Sequence, residues 1–139
     1  PSGSLIMGNK KFIAKARRLR KVAGGGMRQA GILAAAGIYA LDNMVERLSE
    51  DHKNAKILGE ELGNINYLKL DKEKITTNLI FFYLEKETIT DNQFISELLK
   101  HDVKIDTKGN RKFRIATHYG FTNNDIEKVI KTIKLILDK

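Results

Sequence analysis

With 139 residues, 42% hydrophobic and 30% charged, the chain has room for one ordinary domain with a modest core. No apolar run approaches the roughly 18 residues that span a bilayer. The absence of cysteine excludes disulfides and thiolate metal sites and fits a reducing, cytoplasmic setting. The net charge of +8 is concentrated in one place. Lys10, Lys11, Lys15, Arg17, Arg18, Arg20, Lys21 and Arg28 lie in a stretch without an acid, and the other 17 basic residues are matched by 17 acidic ones. Such a block indicates an anionic partner, a phosphate site or a solvated face.

The opening PSGSLIMGNKK has no initiator Met and no signal-peptide pattern, and residues 5–7 read as a short apolar strand, as in a chain cut from something longer. Residues 10–23 place Phe12, Ile13, Ala16, Leu19 and Val22 at helical spacing, with the basic residues on the other faces. Gly24 ends that helix. In residues 28–41, RQAGILAAAGIYAL, Ala and Gly replace bulky side chains, which predicts a closely packed, buried helix. Asn43 caps a third helix with the inward stripe Val45, Leu48, His52, Ala55, Leu58 and Leu62, ended by Gly63-Asn64.

Residues 67–70 and 78–84 read as strands, and the apolar run NLIFFYL in the second suits burial on both faces. TDNQFISELLKHD carries the capping-box pair Thr90 and Gln93 and a helix burying Phe94, Ile95, Leu98 and Leu99. Residues 103–106 and 113–117 form strands around the Lys108-Gly109-Asn110 turn, and a helix capped by Thr122 closes the chain. The second half is thus β-β-α-β-β-α, helices on a small mixed or antiparallel sheet, whereas residues 1–44 have no sheet of their own; the class is α/β.

Two segments carry candidate sites. Gly24-Gly25-Gly26 permits positive φ and close backbone approach, and Lys21 and Arg28 flank it, so amides and cations could converge on a phosphate. A flexible hinge between helices explains the same glycines. In KFRIATHYG, Arg114 stands between Phe113 and Ile115, and its guanidinium needs a carboxylate or phosphate partner; an edge-strand pair with a nearby Glu serves equally. His118 could titrate or stack, while His52 and His101 read as structural. The three histidines lack metal-ligand spacing, so no metal site is expected, and Ser2 and Ser4 lack a general base. No catalytic set is complete within these residues. The basic block also allows a nucleic-acid-binding or a non-catalytic assembly module, though it has no aromatic interleaving.

RKVAGGGMRQAGILAAAGIYAL followed by VERLSEDHKNAK, and later TTNLIFFYL and FRIATHYGFTNNDIEKV, closely resembles the low-specificity L-threonine aldolases, along essentially all 139 residues. The resemblance implies a pyridoxal 5'-phosphate enzyme of the aspartate-aminotransferase fold type. Residues 1–44 would end its large domain, with strand, basic helix, Gly-rich turn and Ala-rich helix, and residues 45–139 would form the small carboxy-terminal domain. It implies cleavage of L-threonine or L-allo-threonine to glycine and acetaldehyde. It further implies that the Schiff-base lysine precedes Pro1, so that no catalytic residue lies in this chain and the piece alone is inactive. By the same resemblance Arg114 binds the substrate α-carboxylate, and Lys21, Arg28, Gly25 and Gly26 serve a neighbouring subunit's site near the cofactor phosphate. The implied assembly is a dimer-based homotetramer, cytoplasmic, acting on a small amino acid and taking neither nucleic acid nor membrane as partner.

Overall fold

A computed structural model describes residues 4–138, which fall into two compact units divided between Arg47 and Leu48. Ser2 lies outside the described residues. In the first unit, α1 (Lys10–Val22) begins where the Asn9 side chain accepts the Phe12 amide at 2.9 Å, and it ends with Arg20 and Lys21 beside the negative end of its dipole. Gly24 leaves the helix at φ 81°, a left-handed conformation that glycine adopts without a steric penalty. The second helix, α2, runs Gly31–Asn43.

Three expectations change in this unit. Residues 5–7 form no strand; an extended segment needs a ladder partner, and none of the other described residues up to Arg47 is a strand. They run beside α2 instead, with Leu5 Cδ1 3.7 Å from where a Cβ on Gly37 would stand. Although α2 is apolar on nearly all sides, none of its residues is buried, because this unit offers it little besides α1 and the leading segment. Asn43 is the last residue of α2, its Nδ2 donating to the Tyr39 carbonyl at 2.9 Å, so it caps no following helix. The third helix starts five residues later, and Val45 and Leu48 are exposed.

The second unit contains α3 (Leu48–Leu62), β1 (Leu68–Lys69), a 3-10 turn (Lys72–Lys74), β2 (Leu79–Leu84), α4 (Asp91–Leu99), β3 (Asp106–Gly109), β4 (Lys112–Ala116) and α5 (Asn123–Leu137). The sheet is antiparallel throughout, in the order β1-β2-β4-β3. Period-two alternation sorts its faces. Ile80, Phe82 and Leu84 on β2 and Phe113 and Ile115 on β4 are buried, in a core with Leu58 and Leu62 of α3, Phe94 and Leu98 of α4 and Ile133 of α5. Phe113 stacks on Phe82 at 5.5 Å and meets Phe94 edge-on at 5.3 Å.

The other sheet face stays open. Phe81 and Tyr83 are exposed there, which corrects the reading of residues 78–84 as covered on both sides: their apolarity is met by the Lys112 ammonium, 5.0 Å and 5.6 Å from the two ring centroids. Leu99, expected inside, is exposed at the end of α4. The strand expected at residues 103–106 lies further on as β3; Val103 is buried without pairing, so its apolar signal reported burial and not a ladder. β3 and β4 are joined by Asn110 and Arg111, at φ 52° and 62°, the two-residue hairpin geometry that needs both central residues at positive φ. Among the described residues no helix is long and apolar enough to cross a membrane.

Replacing Phe113 by Ala should cost about 3–5 kcal/mol in urea unfolding of the chain, whereas Phe81→Ala on the open face should cost less than about 1 kcal/mol. The start of α5 makes stability pH-dependent. The Thr122 hydroxyl and amide both donate to Asp125 Oδ2 at 2.7 Å, holding that carboxyl below its ordinary range. A depressed carboxyl stabilises the fold above the unfolded-state value and loses that contribution as pH falls through the folded one. Thermal melting of wild type and Asp125→Ala should therefore differ most at neutral pH and converge in strong acid.

Candidate functional site

Arg114 lies on β4, an inner strand, and alternation sends its side chain to the open face while Phe113 and Ile115 point into the core. This answers how an arginine fits between two core residues: its guanidinium never enters the core. Its cross-strand partners are Phe81 on β2 and Asp106 on β3. Nη2 donates to Asp106 Oδ2 at 2.7 Å, so the acid beside it is an aspartate on β3. Lys108 Nζ donates to the same oxygen. That hydrogen bond, with the positive charges of Lys108 and Arg114, holds Asp106 below the usual carboxylate range. Among the described residues, Nε and Nη1 of Arg114 donate to no protein acceptor, and the side chain is 37% exposed.

The neighbouring Arg111 was not singled out from the sequence. Its Nε donates to the Leu84 carbonyl at 3.0 Å and its Nη1 to the Ile89 carbonyl at 2.7 Å, while Nη2 reaches the Lys86 carbonyl and Nη1 pairs with Asp91 at 3.3 Å. These bonds tie the hairpin tip to the segment between β2 and α4 and compensate a left-handed backbone that a non-glycine residue adopts only at a cost. Three of the acceptors are backbone carbonyls, which leave no trace in residue types, so no sequence signal pointed to it.

The glycine turn belongs to the first unit and Arg114 to the second. Gly24 and Gly25 use their amides to close α1, donating to the Lys21 carbonyl at 3.2 Å and the Arg20 carbonyl at 2.8 Å. Gly26 is different: among the described residues its amide has no protein acceptor. A Cβ on Gly26 would stand 3.0 Å from Lys21 Cδ and 3.2 Å from Lys21 Nζ, so the ammonium folds over this glycine and a side chain there would displace it. At Gly25 the corresponding neighbour is Arg20 Cγ, at 2.9 Å. An ammonium beside a glycine whose amide has no protein acceptor is chemistry suited to an oxyanion. The helix does not follow directly, however. Residues 27–30 intervene, with a turn at 28–30 and Gln29 at φ 52°, and the exposed Arg28 sits in that turn ahead of α2.

The histidines stay outside these groups. His118 Nδ1 lies 2.8 Å from the Tyr119 carbonyl, with its ring 6.1 Å from Phe121; His52 is half-buried on α3, and His101 is exposed just beyond α4. No three potential metal ligands cluster among the described residues.

Comparison with known proteins gives this geometry a lineage. The chain is 37% identical over 137 residues to "Probable low-specificity L-threonine aldolase 2" of Arabidopsis thaliana, a match covering 98% of this chain and 39% of that protein. It is 51% identical over 87 residues to the "Low specificity L-threonine aldolase" of Escherichia coli (strain K12), covering 63% of this chain and 25% of the relative. The chain therefore spans less than half the length of these curated relatives. A solved structure of a C-DES mutant with glycine covalently linked to its PLP cofactor superposes with a TM-score of 0.62 at 15% identity, over 76% of this chain and 28% of that one. Identity that low speaks for the fold alone, and the fold is the α/β class that the resemblance implied. Residues 1–86, more than half of the sequence, match the beta-eliminating lyase family, and the chain belongs to that family.

Proposed function

We propose that the chain is part of a pyridoxal 5'-phosphate-dependent aldolase that cleaves L-threonine or L-allo-threonine to glycine and acetaldehyde. In this reading residues 1–44 end the large domain, residues 45–139 form the small one, and the cytoplasmic enzyme is a homo-oligomer built from dimers. The observation that carries the proposal is the 37% identity to a plant threonine aldolase along 98% of the chain. The residues present fit the cofactor. The acid-free stretch from Lys10 to Arg28 creates a positive field, and Gly26, which has no side chain to displace the Lys21 ammonium beside it, supports a phosphate near that ammonium.

When bound, the cofactor supplies an electron sink for the carbanion that develops as the Cα–Cβ bond breaks. The chain's own residues bind and orient. Arg114 would take the substrate carboxylate along one open edge of its guanidinium, through the second hydrogen of Nη2 together with Nε or Nη1, and a two-point grip fixes rotation as well as position. Orientation of that kind lowers the barrier by paying the entropy of alignment in the binding step. Lys21 and Arg28 would neutralise the phosphate from a neighbouring subunit.

In the full-length protein, acetaldehyde release from L-threonine, followed by coupled reduction to ethanol, should be detectable and should depend on added pyridoxal phosphate. Arg114→Ala should lower kcat/KM for L-threonine by at least about tenfold, the loss of one to two charged hydrogen bonds, and Arg114→Lys should not restore it because an ammonium lacks the planar fork. The double variant Lys21→Ala, Arg28→Ala should release the cofactor more readily on dialysis, read from its visible absorbance. Unchanged retention would remove these two residues from the phosphate site.

A further inference from the structure

We infer that Asp106, backed by Lys108, is a positioning residue that holds the Arg114 guanidinium in the orientation that receives a carboxylate. The inference rests on the reading of Arg114 as the carboxylate-binding residue. An arginine on an open sheet face samples many rotamers, and confining it carries an entropic cost. Asp106 is directly opposite in the β3–β4 register, so its backbone is fixed relative to that of Arg114. It engages through one oxygen, which accepts from Nη2 of Arg114 at 2.7 Å. Arg–carboxylate pairs frequently use both oxygens in a fork, which would occupy a whole edge of the guanidinium. Here the single contact takes one hydrogen of Nη2 and leaves its other hydrogen, with Nε and Nη1, without protein acceptors among the described residues, so one two-point edge stays open.

The charge arithmetic supports the same role. Alone, Asp106 would cancel Arg114 and repel an incoming carboxylate. Lys108 removes that conflict. It occupies the irregular position between the pairs Thr107↔Phe113 and Gly109↔Lys112, a bulge that adds one residue to β3, and its ammonium returns to Asp106 Oδ2. The trio of Arg114, Lys108 and Asp106 keeps a net charge of +1, so the site remains attractive to an anion while its receptor group is held in place. Phe81 is the cross-strand partner of Arg114 on the opposite side, on β2.

The test uses the full-length protein with Asp106→Ala, Asp106→Asn, Lys108→Met and Arg114→Lys. Asp106→Ala should raise KM for L-threonine about five- to twentyfold with kcat changed less than about twofold, and Asp106→Asn, which keeps an acceptor oxygen, should restore most of the loss. Lys108→Met should raise KM several-fold with the acceptor intact. A readout independent of turnover is the Arg114 Nε–Hε signal in 15N-edited NMR, which should be distinct and shift on glycine addition in wild type and in Asp106→Asn but collapse to the averaged arginine position in Asp106→Ala. The inference is overturned if Asp106→Ala leaves both KM and that signal unchanged while Arg114→Lys raises KM. If Arg114→Lys itself leaves KM untouched, the reading of Arg114 fails, and the positioning role with it, even where the NMR signal still reports the ion pair.

Discussion

The antiparallel pairing of β2 with β4 is the constraint on which the second unit depends. Ile80 opposite Ile115 and Phe82 opposite Phe113 place four large apolar side chains on one face, and the helices close over them. The same register puts Arg114 opposite Phe81 on the other face. A slip of β4 by one residue would exchange its faces, moving the Arg114 guanidinium into the core and Phe113 and Ile115 into water, and each exchange costs several kcal/mol. Core packing and the placement of the candidate binding residue are therefore one decision, and the arginine's position is as secure as the aromatic cluster beneath it.

That security is reinforced at the hairpin. Asn110 and Arg111 turn the chain at positive φ, and the Arg111 guanidinium fastens the turn to carbonyls of Leu84, Lys86 and Ile89. Thr117, at the opposite end of β4, is buried and donates its hydroxyl to the Asp51 carbonyl at 2.6 Å, while Asn78 Nδ2 donates to the Thr117 carbonyl at 2.7 Å. β4 is thus anchored by polar bonds at both ends and by apolar contacts along its inner side. The first unit contrasts with this: α1 and α2 bury no residue, and the Lys21 side chain lies over the glycine turn between them.

Much of this was legible from local patterns. Apolar spacing located the amphipathic helices near their observed limits, the Thr90–Gln93 and Thr122 caps are real, and the α/β class with its order of elements follows from periodicity and turn chemistry. What stayed hidden depends on neighbours distant in sequence. Phe81 and Tyr83 read as core because an apolar run cannot tell which of its residues face a Lys112 across the strand. Val103 looked like a strand because burial and pairing leave the same mark. Residue types left the partner of Arg114 open between a bound carboxylate or phosphate and a nearby glutamate; that its protein partner is Asp106 depends on the register of a hairpin whose bulge they do not announce. Arg111 left no signal at all.

The bulge at Lys108 has an evolutionary corollary. The extra residue lies between the pairs Thr107↔Phe113 and Gly109↔Lys112, on the turn side of Asp106↔Arg114, so a change of one residue there leaves the Asp106↔Arg114 pairing in place. Descendants could lose or replace the lysine, retuning the local potential, while an acceptor stays level with the arginine; adaptation to a differently charged ligand would then begin with a change in loop length and leave the sheet as it is.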